Sequence, residues 1–222
     1  MKKYLLLAVM LLIPALCWSQ GKIYTRKSKL EDFPTRTTRV VLSGNELMDA
    51  LIKEEVASRW HVSPFEFCSV AEYEADLESR LYYFLRFTRD EDFTFLTISK
   101  GGNPDDENSL FAGFDVISMP VAPASFRAGE DLCFLPAYLD ILQTYISLAQ
   151  ESERVAYRGL KAICTKAKGK IYFDPDEGAE AFLRAEEGAN FIVRIPSARQ
   201  GAKGWEMMIS TDTHELRSIK RK

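Results

Sequence analysis

Histidine is almost missing from this chain, with His61 and His214 its two representatives among 222 residues. Imidazole is the usual acid–base group near neutral pH and a common metal ligand, so this scarcity leaves no material for a multi-histidine metal centre. Patterned catalytic loops are missing too. There is no Gly-x-x-x-x-Gly-Lys-Ser/Thr phosphate loop, Gly-x-Gly-x-x-Gly turn, Gly-x-Ser-x-Gly elbow, His-Glu-x-x-His helix or Cys-x-x-Cys pair. Their absence removes the commonest sequence routes to nucleotide binding, serine hydrolysis and zinc chemistry, and no cofactor is predicted. Four cysteines, Cys17, Cys68, Cys133 and Cys164, are too few for a disulfide scaffold. A net charge of −3 gives no basic excess to reward a phosphate backbone, so nucleic acid is not an expected partner.

What the sequence does contain begins with an address. Met1-Lys2-Lys3 is followed by the apolar run Tyr4–Leu16 and by Cys17-Trp18-Ser19, the three-part layout of a secretory signal peptide over residues 1–19. The run is short of the ~20 residues that span a bilayer. Cleavage after Ser19 is expected, with an extracytoplasmic destination, periplasmic or secreted. Lipid anchoring through Cys17 is disfavoured because the preceding Leu16 is bulky for that processing site. Lys2 and Lys3 leave with the signal, so 27 of the 29 basic residues remain against 32 acidic ones, a mature charge of −5. No second run of comparable apolarity follows, and the mature chain is expected to be soluble, without an integral membrane segment.

Residues 20–37 are polar and lack periodicity, and they read as an extended N-terminal segment pinned by Ile23, Tyr24, Leu30 and Phe33. Residues 38–222 read as a single α/β domain, with α+β as the variant: a mixed sheet, two main packed helices and antiparallel hairpins. The strand Arg39–Ser43 leads to a helix on which Met48, Ile52, Val56 and Trp60 recur every four residues, with Ser43 and Glu46 at capping-box spacing. Pro64 ends that region, and Phe65-Glu66-Phe67-Cys68 begins a short strand. Ser69 and Glu72 again have capping-box spacing, for a short helix ending near Arg80. Leu81–Phe87 and Asp92–Ser99 form a hairpin, and another strand lies at Asp115–Met119. The clearest helix face, Leu135, Tyr138, Ile141, Leu142, Tyr145, Leu148 and Ala149, spans about Cys133–Ser152. Asn190–Ile195, Trp205–Thr211 and a terminal hairpin close the chain, and no internal repeat is visible.

Chemistry has few candidates. Cys68 with His61 is the least implausible catalytic pair, since an imidazole beside a thiol favours the thiolate; Cys133 and His214 are the substitutes. The competing reading makes Cys68 a core residue and His61 a helix C-terminal residue favoured by the dipole. The acidic loops Asn103–Asn108 and Asp174–Gly178 offer calcium-type oxygens but no EF-hand spacing, so no metal site is assigned; Asp174 or Asp176 serves equally as a helix cap. Tyr82-Tyr83-Phe84, Phe93 and Phe95 suit a core or a groove. Arg217, Lys220, Arg221 and Lys222 form a basic end.

The segment Val56–Phe84, built around Trp60-His61-Val62-Ser63-Pro64-Phe65-Glu66-Phe67, resembles a segment of uncharacterised secreted or periplasmic α/β proteins of Bacteroidetes-type bacteria. The resemblance implies export and an α/β fold, and carries no catalytic residue. The function expected from all of this is a secreted envelope protein acting as a non-enzymatic binding module, with a possible envelope protein as its partner. The alternative is a small extracytoplasmic hydrolase or thiol enzyme.

Overall fold

A computed structural model describes residues 25–102, 114–125 and 130–222. The expected signal segment 1–19 and the acidic loop Asn103–Asn108 lie outside these residues. The fold is α/β, with parallel and antiparallel pairing in the same sheets.

The first sheet has the order β2-β1-β3-β4-β5. Strand β1 is Thr37–Val41, β2 is Phe65–Cys68, β3 is Tyr82–Arg89, β4 is Phe93–Lys100 and β5 is Phe114–Pro123. β1 pairs in parallel with β2 and β3, and β3-β4-β5 is an antiparallel meander. Helix α1, Glu46–Arg59, makes the β1–β2 crossover and α2, Val70–Asp76, the β2–β3 crossover. Alternation along the strands sorts the two faces. Val40, Leu85 and Leu96 meet Ile52 and Val56 of α1 and Leu135 and Leu139 of the long helix α3, Leu135–Glu151. Arg39 and Phe84 stand on the other face, where Arg39 pairs with Asp76 and Tyr73 packs edge-on against Phe84 at 5.0 Å. Pro120 and Pro123 sit in β5 at the sheet edge, where a missing N–H breaks no ladder and discourages strand addition.

After α3 and the short α4, Glu153–Arg158, the second sheet runs β6-β7-β8-β9. Its strands are Lys170–Tyr172, Ala189–Ile195, Trp205–Ser210 and Leu216–Arg221, with α5, Pro175–Leu183, crossing from β6 to β7. β6 and β7 are parallel and the rest antiparallel. Each sheet thus combines parallel strands joined over helices with an antiparallel meander, and the first carries one parallel strand more than the second. One buried apolar cluster includes residues of both sheets, among them Val40, Ile98, Val121, Phe191, Val193 and Met207, with α3 contributing Leu135, Tyr138, Leu142, Tyr145 and Ala149. Leu132–Glu151 is long and apolar enough to cross a membrane by length and composition, but 61% of its most apolar window is buried inside the protein, as in a core helix.

Three local expectations need correction. The N-cap of α1 is Asn45, whose Oδ1 accepts from Met48 N at 3.1 Å; Ser43 stays outside the helix and donates to Asp49, because Gly44 turns the chain with φ +82°. α2 keeps its Ser69–Glu72 capping box but stops at Asp76, since the Leu77 carbonyl is taken by Gly102 N–H at 3.0 Å as the chain turns into β3. The described part of 20–37 is not an extended arm. It forms 3₁₀ turns at Lys27–Lys29 and Phe33–Thr35, and Leu30 and Phe33 are fully buried. Lys100 Nζ holds both oxygens of Asp32 at 2.7 Å, and Gln150 Nε2 donates to Leu30 O at 3.0 Å. These anchors lie on β4 and α3, far away in sequence.

Candidate functional site

Between β5 of the first sheet and β7 of the second, beside the first turns of α3, lies a partly open cavity of about 180 Å³. Its lining among the described residues is Val121 and Pro123 of β5, Phe134 and Tyr138 at the start of α3, and residues 193–196 of β7 and its exit. Two prolines and two strands fix the backbone of the walls, so the space is largely preformed. Strand alternation turns Val193 and Ile195 inward and Arg194 away. On the far face Arg194 Nη1 donates to Phe173 O at 3.0 Å, and its Nε lies 3.4 Å from Glu206 Oε2. The space is therefore mostly apolar, with Arg194 the one charged residue among its described lining residues and Tyr138 fully buried behind it.

An aromatic cluster backs the cavity. Phe134 stands 4.9 Å from Phe191 and 5.3 Å from Phe182, and Phe182 lies 5.2 Å from the His214 ring. His214 Nδ1 is 2.6 Å from Asp140 Oδ2. A carboxylate only accepts, so Nδ1 carries the proton and the imidazole is held in one tautomer. Asp140 also receives Arg59 Nη1 at 3.4 Å, and Arg59 Nε meets Glu55 at 2.7 Å. This line of charges ties the β8–β9 turn to α3 and α1. His214 has φ +55°, an unusual value for a residue with a side chain, so the turn is held to this geometry by its contacts.

The candidates named from sequence are dispersed. Cys68 is 4% exposed at the end of β2, and burial pushes its thiol upward, against thiolate formation. His61 is exposed at the far end of the same segment; its Nδ1 donates to Arg59 O at 2.7 Å and its N–H to Gln143 Oε1 at 2.9 Å. Cys68 ends β2 while His61 lies before the turn that enters it, and no hydrogen bond joins them among the described residues. Cys133 is exposed, directly before Phe134, and Cys164 is half-buried with its thiol pushed up by burial. Asp174 spends its Oδ1 on Asp176 N and Glu177 N as the cap of α5. Tyr83, Phe84 and Phe93 are core residues; Tyr82 is half-buried, with the Arg39 guanidinium 4.1 Å from its ring centroid.

The basic end is also consumed internally. Lys220 and Lys222 reach buried Glu206 at 3.0 and 2.6 Å, Arg221 lies over the rings of Phe93 and Trp205, and Arg217 binds Asn190 and Glu215. Hydrogen bonding from Lys222, ahead of that from Lys220, holds the Glu206 carboxyl below the usual range.

Protein-family models, curated proteins and solved structures return no match to this chain.

Asp140 and Gln143 carry the polar contacts that sequence reasoning missed. Their signal was present: they interrupt the apolar face of the strongest helix, and Gln143 is 2% exposed. Its Oε1 accepts from His61, while its Nε2 is buried without a hydrogen-bond partner among the described residues. The cavity had no sequence signal, since Val121, Pro123, Phe134, Tyr138 and Val193 look like ordinary core residues.

Proposed function

We propose that this protein is an exported, non-enzymatic binding module that takes an apolar group into the cavity between its two sheets. The observation that carries this reading is the depression of about 180 Å³ between the two sheets, a concave and mostly apolar surface with Val121, Pro123, Phe134, Val193 and Ile195 in its lining. Export is supported by the signal-like residues 1–19, and an envelope component remains the expected source of the bound group. The alternative of a thiol enzyme draws no support from Cys68, whose thiol is buried and held in its protonated form.

Methyl NMR under xenon pressure tests the reading without prejudging the ligand, because xenon enters apolar cavities irrespective of functional groups. The expected result is saturable shifts confined to Val121, Val193, Ile195 and their neighbours. Unchanged methyls at these positions refute it.

A further inference from the structure

No further inference is drawn: the strongest candidate, the half-buried Arg86 guanidinium on the face of the first sheet that carries Arg39 and Phe84, has its Nε buried without a hydrogen-bond partner among the described residues, and nothing in the structure shows what covers it.

Discussion

Replacing Asp32 by alanine should destabilise the protein by about 3 kcal/mol, even though Asp32 lies in a segment that reads from sequence as a polar arm. Its carboxylate receives Lys100 Nζ on both oxygens at 2.7 Å, the Tyr83 hydroxyl at 2.8 Å and Arg36 Nε at 3.2 Å. The Lys100 side chain is 8% exposed and that of Asp32 33% exposed. Removing the acid strands an ammonium group in the interior, with the Tyr83 ring at 5.1 Å as its remaining support. Breaking a buried pair costs about 3–5 kcal/mol, and the partial exposure of Asp32 places this case at the lower end. For a chain of this size that is a Tm drop of about 6–12 °C.

Lys100→Met keeps the apolar stem and leaves Asp32 with Arg36, Tyr83 and solvent, at a cost of about 1 kcal/mol. The double variant then has no buried charge to strand and should lie within about 1 kcal/mol of Lys100→Met, a coupling of about 2 kcal/mol. Urea unfolding followed by far-UV circular dichroism measures all three. An Asp32→Ala loss below about 1 kcal/mol, or strict additivity, refutes the reasoning. The pH dependence has a definite sign. Burial pushes the Asp32 carboxyl up, but the hydrogen bonds from Lys100 and then Tyr83 outweigh it and hold it below the usual range. Its contribution is present above the unfolded pKa and lost as pH falls through the folded one, so wild type should lose stability more steeply than Asp32→Ala below about pH 4.

Other outcomes follow from the same geometry. Cys68 should resist iodoacetamide at pH 8 in the folded protein and react after unfolding, by mass spectrometry; rapid native alkylation contradicts its burial. Asp140→Ala removes the acceptor shared by His214 and Arg59 and should cost about 1–2 kcal/mol, with the His214 ring resonances moving as the imidazole loosens from its contact with Phe182. Arg199 bonds both oxygens of Asp92, and these bonds hold the Asp92 carboxyl well below the usual range. Arg199→Ala should therefore expose the 196–204 loop to proteolysis at neutral pH. In wild type the same exposure should appear only in acid, because a depressed carboxyl loses its contribution as pH falls through the folded pKa. Purified from an exporting host, the chain should begin at Gln20; an intact Met1 in the extracytoplasmic fraction contradicts the assigned cleavage.

Local pattern determined much of the architecture. Period four along Met48–Trp60, the aromatic and β-branched runs of the β3–β4 hairpin with the turn between them, and the Ser69–Glu72 capping box each bind residues to near neighbours, and such interactions are written directly in the sequence. The first helix ends at Arg59, ahead of Pro64, with Trp60 in extended backbone as its C-cap, so the proline does not set that boundary. Only the tertiary structure decided what distant residues do to one another. Leu30 and Phe33 became core because Lys100 and Gln150, contributed by β4 and α3, capture their segment. His214 acquired an acid partner because a turn near the C-terminus folds back on α3. The partly open cavity exists because β5 of one sheet packs beside β7 of the other, residues far apart in sequence, and it is a property of the space between side chains. A sequence specifies the side chains and their periodicity; the empty volume is set by the angle and separation at which whole sheets meet.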